Sequence, residues 1–331
     1  MTTRRACIRS VGRFLPERRL TNKEFEKTLD TSDEWIFSRT GIRERRILDQ
    51  GLGNSHMAVK AAKECLDRAG VSAEEVDAII LGTVTPDMFF PSTACLVQME
   101  LGASRAWGFD LSAGCSGFVF SLTTGAQMVE SGRYDKVLVI GSDVMSTVID
   151  YQDRNTCVLF GDGAGAVLLE ACPEPGYGII DFIQRVDGSG GKHLLMPGGG
   201  SLQPATVESV EARKHFLTQD GPQVFKSAVR EMSAISAEVV ERNGLTGDDI
   251  ALYVPHQANI RIIEAAAKRI GIGMDKVVTN IDRYANTTAG TVPICLYDAL
   301  VEQQRIKRGD YIVMAAFGAG FTWGSVLIRW W

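Results

Sequence analysis

The chain has 331 residues, 45% hydrophobic and 23% charged, with a formal net charge of −5. That composition excludes a disordered or fibrous chain, and the acidic balance argues against nucleic acid as the main partner. At about 150 residues per domain, the length allows two domains or one large one.

The stretch to Pro16 carries arginines at 4, 5, 9 and 13, which leave no uninterrupted apolar core for a signal peptide. Its basic character hints at a transit peptide, but Pro16 and the acidic residues soon after it argue against one. A cytoplasmic location is expected. No apolar run approaches the roughly 18 residues that a membrane span needs. The densest runs, 76–84 and 137–141, have the length of buried strands.

Residues 55–69 read as an amphipathic helix stopped by Gly70, and 77–83 as a strand with a continuous apolar run. Such runs belong to sheets covered on both faces, so the fold class is α/β. A second apolar strand, 107–111, leads through small residues into a predicted helix over 117–131. Cys115 lies at that strand-to-helix turn, where unpaired N–H groups and the helix dipole favour thiolate and predict a lowered pKa. Phe160-Gly161-Asp162-Gly163-Ala164-Gly165 and Phe317-Gly318-Ala319-Gly320 match no phosphate-binding pattern and read as tight turns and close backbone packing.

Two stretches recur about 175 residues apart. ECLDRAGVSAEEVDAIIL from Glu64 resembles EVVERNGLTGDDIALYV from Glu238, and GRYDKVLVIG around Asp135 resembles KRGDYIVMAA around Asp310. Two pairs at one spacing predict a duplicated fold. The seam is Cys172-Pro173-Glu174-Pro175-Gly176, giving halves 1–172 and 173–331. Residues 191–203 read as a mobile loop.

The cysteines at 7, 65, 95, 115, 157, 172 and 295 are odd in number and scattered, without metal-ligand spacing. They predict reduced thiols and no metal. Of the histidines at 56, 193, 215 and 256, only His256 stands at a predicted strand end, where ligands collect in open α/β sheets. Asn286 opens a polar, small-residue segment that the repeat makes the counterpart of the Cys115 turn. Two helix N-termini, one with a thiol and one with an amide, would then meet at one centre. Cys, His and Asn in this order also occur in papain-like hydrolases, and His256 follows the thiol by about 140 residues, inside their range. The internal position of Cys115, the missing Cys-Gly-Ser-Cys-Trp type of signature and the repeat all speak against a hydrolase.

TSDEWI with SRTGI, the AGCSGF turn, FGDGAGA, PHQAN, NTTAGTVP and the terminal FGAGFTWG together resemble β-ketoacyl-[acyl-carrier-protein] synthase III over nearly the whole chain. The resemblance implies a thiolase-like fold, two duplicated halves forming a five-layered αβαβα core. It implies decarboxylative Claisen condensation of a short acyl-CoA with malonyl-ACP, by a ping-pong route through an acyl-cysteine. Cys115 would be the nucleophile, with His256 and Asn286 completing the triad and the N–H groups of Cys115 and Ala319 binding the oxyanion. Thr31, Trp35, Arg39, Arg154 and Asn259 would bind coenzyme A, with Trp35 and Arg154 sandwiching the adenine. Phe90 would reach into the acyl pocket of a second copy in a homodimer. Lys226, Arg261, Lys268 and Arg269 would dock the acidic carrier protein. No cofactor is implied. The runner-up is a synthase III-like condensing enzyme or acyltransferase of secondary metabolism. Thiolysis is disfavoured because the last cysteine, Cys295, lies well before FGAGFTWG.

Overall fold

The computed structural model describes residues 4–331, and nine longer strands build two sheets. The first contains β1 (Ala6–Phe14), β2 (Ala78–Gly82), β3 (Trp107–Leu111), β4 (Val137–Asp143) and β5 (Gly163–Ala171), in the order β1-β5-β4-β2-β3. The second contains β6 (Gly178–Val186), β7 (Ile250–Pro255), β8 (Tyr311–Gly318) and β9 (Thr322–Arg329), in the order β7-β8-β9-β6. The run β2-β4-β5-β1 pairs parallel, antiparallel, antiparallel. The run β7-β8-β9-β6 repeats that sequence of orientations. Where β3 lies beside β2, the second sheet has only an isolated parallel bridge between Tyr253 and Val277. This is a duplicated α/β fold.

Seven longer helices complete the layers: α1 (Asp33–Thr40), α2 (Asn54–Ala69), α3 (Thr93–Leu101), α4 (Gly117–Glu130), α5 (Gly221–Arg242), α6 (Ile260–Ile270) and α7 (Thr291–Tyr297). Helices α2 and α3 cover the outer face of the first sheet, while α4 and α7 lie between the sheets. Helices α5 and α6 cover the second sheet from outside. The order is αβαβα. Every residue of β2 and β4 is buried, which explains why both read as unbroken apolar runs. Helix α2 ends at Gly70, whose φ of +67° is the left-handed cap that its sequence predicts. Residues 191–203 include the end of a 3₁₀ turn (Gly188–His193) and a two-residue strand, Leu194–Leu195, paired with Thr218–Gln219.

The two inner helices start close together. Gly117 packs against Ala289, and a Cβ added at Gly141 would lie 2.2 Å from the Ala289 carbonyl oxygen. Only glycine permits this approach of β4 to the 3₁₀ turn Thr288–Gly290 that precedes α7. Gly141→Ala is expected to destabilise the fold by about 1–3 kcal/mol through overpacking against backbone. A lower thermal midpoint is the readout. An unchanged midpoint would mean that the turn can retreat at no cost.

Candidate active site

A cavity of about 540 Å³ reaches between the two helix starts and is lined by Cys115, His256 and Asn286 together with Trp35, Arg39 and Asn259. Three separate parts of the sequence thus converge. Cys115 sits in a 3₁₀ turn, Gly114–Ser116, between β3 and α4. The turn needs Gly114, whose φ is +55° and whose missing Cβ would lie 2.7 Å from the Ala319 nitrogen. Gly318 packs as tightly on the other side, since a Cβ there would lie 2.4 Å from the Cys115 nitrogen. The β8–β9 loop is thereby pressed against the thiol. Ala319 keeps a non-positive φ, so its methyl group costs no backbone strain, and its N–H donates to no group among the described residues.

His256 follows β7, with its own N–H donating to the Ala315 carbonyl at 2.8 Å. Its ring is 1% exposed, and neither ring nitrogen has a hydrogen-bond partner among the described residues. Burial pushes its pKa down to about 3, so the imidazole is neutral across the physiological range. The Asn286 carboxamide is oriented by the Thr288 N–H, which donates to Oδ1 at 2.9 Å and leaves the NH₂ group as the free donor. Ala285 at φ +56° and Thr288 at φ +52° flank it, both in the left-handed region that costs such residues about 1–3 kcal/mol each. The surrounding packing and hydrogen bonds must offset that strain to keep the amide at the cavity wall. Imidazole and amide together provide two neutral donors beside one sulfur.

The expected lowering of the Cys115 pKa is overturned. Cys115 is 7% exposed, and burial pushes its thiol up to about 12, with the Asp143 charge adding to the rise and the Asn286 side chain opposing it. Asp143 ends β4, fully buried. It accepts hydrogen bonds from the hydroxyls and N–H groups of the 83–85 turn and, at 3.0 Å, from the Ala289 N–H. Burial pushes its own pKa up to about 6. The helix end is present as the sequence predicts, but burial of the sulfur raises its pKa.

The other expected residues divide. The Arg39 guanidinium lies 4.5 Å and that of Arg154 5.2 Å from the Trp35 ring, so the aromatic carries two cations. At that distance Arg154 leaves no room for a base against Trp35, and it is held by the Asp30 carbonyl at 2.6 Å. Thr31 lies next to this group with its hydroxyl buried and unpartnered. Asn259 caps α6, accepting from the Arg261 N–H at 2.9 Å and donating to the Arg39 carbonyl at 2.9 Å. Arg261, Lys268 and Arg269 all point away from the buried face of α6, and Lys226 is exposed on α5. Arg261 donates to the Ser38 carbonyl, and Arg269 pairs with Glu241 at 3.3 Å. Phe90 is 85% exposed and does not line either cavity that touches Cys115. His193 pairs with Asp220, which lines the larger cavity, while His193 does not.

The sequence reading misses one feature, a second cavity of about 170 Å³ that also touches Cys115. Its walls are apolar: Met145, Val148, Leu195, Met196 and Leu217, closed by Ala319. These residues come from loops and from elements of two or three residues, too short for a periodicity, so no sequence signal marks them. Among the described residues no group of His, Cys, Asp and Glu is arranged to hold a metal, and no helix is long and apolar enough to cross a membrane.

Comparison with known proteins places the chain in a family. The family model described as 3-oxoacyl-[acyl-carrier-protein (ACP)] synthase III matches residues 109–188, and the model for its C-terminal part matches residues 240–330. The chain is 54% identical over 330 residues to a β-ketoacyl-[acyl-carrier-protein] synthase III of Koribacter versatilis, covering 99% of each. It is similar to the crystal structure of a 3-oxoacyl-[acyl-carrier-protein] synthase III from Aquifex aeolicus, with TM-score 0.91 and 43% identity over 98% of this chain and 100% of that one. The priming β-ketosynthase of the R1128 polyketide pathway superposes with TM-score 0.90 at 36% identity, over 100% of this chain and 98% of that one.

Proposed function

We infer the mechanism from one premise: this chain belongs to the 3-oxoacyl-[acyl-carrier-protein] synthase III family, the acyltransferases whose condensation initiates fatty acid synthesis. The observation that carries the reading is the meeting of Cys115, His256 and Asn286 at one buried cavity, with the latter two neutral. Cys115 attacks the thioester of a short acyl-CoA. The C–S bond to coenzyme A breaks as the bond to Cys115 forms, and the proton leaving Cys115 ends on the departing coenzyme A thiol. The helix start and the Asn286 amide stabilise the sulfur's charge as it develops, against the desolvation that keeps the resting thiol protonated.

Malonyl-ACP then loses carbon dioxide, and its thioester oxygen becomes an enolate. His256 and Asn286 donate to that oxygen without protonating the carbon, which attacks the acyl-Cys115 carbonyl. The N–H groups of Cys115 and Ala319 stabilise the resulting tetrahedral oxyanion, which collapses to 3-oxoacyl-ACP as the C–S bond to Cys115 breaks and the released thiolate takes a proton from solvent. Thioester exchange and decarboxylative condensation transfer no electrons to a carrier, so the scheme needs no redox cofactor. All seven cysteines are free, which suits a cytoplasmic setting.

Trp35, Arg39 and Asn259 line the entrance to the sulfur and serve coenzyme A, with Thr31 beside them. Arg154 must swing off Trp35 to admit the adenine. The smaller apolar cavity receives the acyl group. A second copy of the chain is supported by the edge position of β3, by Trp107 at 48% exposure, and by the exposed Phe89 and Phe90. In that homodimer Phe90 reaches the partner's acyl pocket.

Intact-protein mass after incubation with acetyl-CoA and longer primers tests the first half-reaction. The docking face has its own test. Lys268→Glu with Arg269→Glu is expected to lower malonyl-ACP use about tenfold at low salt, with acylation by acyl-CoA unchanged. Equal losses in both would count against this face.

A further inference from the structure

Most buried histidines are oriented by a hydrogen bond to one ring nitrogen, yet His256 has none at either. With no hydrogen bond on the ring, its placement rests on the packing around it and on its backbone: the end of β7, the bond from its N–H to Ala315, and the anchoring of the residue that follows it. That residue is Gln257, which is fully buried. Its Nε2 donates to the Pro255 carbonyl at 2.9 Å and to the Val278 carbonyl at 3.1 Å. Its Oε1 accepts from the Asn280 N–H at 3.1 Å. Both amide hydrogens and the oxygen are thus used, all on backbone groups. One bond grips the residue before His256. The other two grip the segment that leads to Asn286.

The path onward is short and stiff. Asn280 opens the single helical turn Ile281–Tyr284, and the left-handed Ala285 then delivers Asn286 to the cavity. Asn280 is itself pinned. Its Nδ2 donates to Asp298 at 3.0 Å, and its Oδ1 accepts from the Cys295 thiol at 3.1 Å. Asp298 is fully buried and paired with Arg283, and with Arg13 from β1. A chain of polar contacts therefore runs from the first sheet through Asp298 and Asn280 to Gln257. It ends on the strand that presents His256.

We propose that Gln257 is a positioning residue of this site, whose side-chain amide sets the spacing between His256 and Asn286. The inference rests on the function assigned above. Acylation of Cys115 draws on the helix start and the oxyanion N–H groups, which Gln257 does not touch, and on the Asn286 amide acting singly at the sulfur, which needs no set spacing from His256. Decarboxylation requires the imidazole and the amide to converge on a single enolate oxygen, so an error in their spacing falls on this step.

The test is Gln257→Met, which keeps length and volume but makes none of the three hydrogen bonds. Acyl-Cys115 formation from acetyl-CoA is followed by intact mass, and malonyl-ACP decarboxylation by carbon dioxide release. Acylation is expected to stay within about threefold of wild type, while the kcat for decarboxylation falls about 10²-fold at little-changed KM. A folded variant that loses both half-reactions equally has only a packing role at this position, which overturns the proposal. So does one that loses neither. Should Gln257→Met not fold, Gln257→Glu keeps the acceptor for Asn280 and, as the neutral acid, one donor. Its decarboxylation is expected to fall about tenfold with acylation retained, and wild-type decarboxylation would again overturn the proposal. Wild-type protein that takes up no acyl group from any acyl-CoA would instead defeat the underlying function.

Discussion

Cys115→Ala is expected to abolish acyl-enzyme formation: after brief incubation with acetyl-CoA, the wild type gains one acetyl group in mass and the variant gains none. Overall condensation should fall by about 10³-fold or more, because no other nucleophile in the cavity can hold the acyl group. The same variant keeps His256 and Asn286, so it should still release carbon dioxide from malonyl-ACP. An adduct persisting in Cys115→Ala would move the nucleophile elsewhere. A wild type that forms no adduct with any acyl-CoA would point to a homologue primed by a carrier protein, and Trp35 and Arg154 would lose their assignment first. The state of the thiol adds a second readout. Burial holds it near 12, so alkylation of Cys115 should accelerate steadily from pH 7 to 9 without a plateau. A plateau below pH 7 would mean that the helix start outweighs desolvation after all.

His256→Ala and Asn286→Ala are each expected to cost about 10²–10³-fold in malonyl decarboxylation, the loss seen when one donor to a developing oxyanion is removed. Acyl-Cys115 should still form in both variants, at rates within about tenfold of wild type. A complete block of acylation in either would assign that residue to the first half-reaction. The pH dependence follows from the neutral imidazole. The folded pKa of about 3 lies below the ordinary 6.5, so no loss of decarboxylation from His256 protonation is expected near pH 6. Stability should respond instead. Below pH 6.5 the unfolded chain binds a proton that the folded chain refuses, so His256 makes the fold progressively less stable as pH drops from about 6.5 towards 3. Acid titration of wild type and His256→Gln separates that contribution from the carboxylates.

Much of this was legible in residue order. The apolar runs of β2 and β4, the left-handed Gly70 and the strand-to-helix turn at Cys115 each obey a local rule of backbone geometry or burial. The repeat predicted that Asn286 would face Cys115, and the repeated strand order explains why. Glycines at 114, 141 and 318 carried a signal whose meaning sequence could not supply. Each marks a close approach to a segment far along the chain: Ala319, Ala289 and Cys115 respectively.

What sequence determined was therefore the α/β class, the duplication, and which thiol, imidazole and amide to consider together. Tertiary structure decided their chemical states. A helix start predicts a more acidic thiol, but burial and Asp143 reverse the sign at Cys115, because the cost of charge depends on all surrounding matter and not on neighbours in the chain. It also decided that Arg154 rests on Trp35, that Phe90 stands exposed, and that Gln257 ties the segment before His256 to the one leading to Asn286. These are contacts between groups distant in sequence. Periodicity and local propensity act over a few residues, whereas desolvation and cross-chain hydrogen bonds exist only once the two sheets have closed around the site.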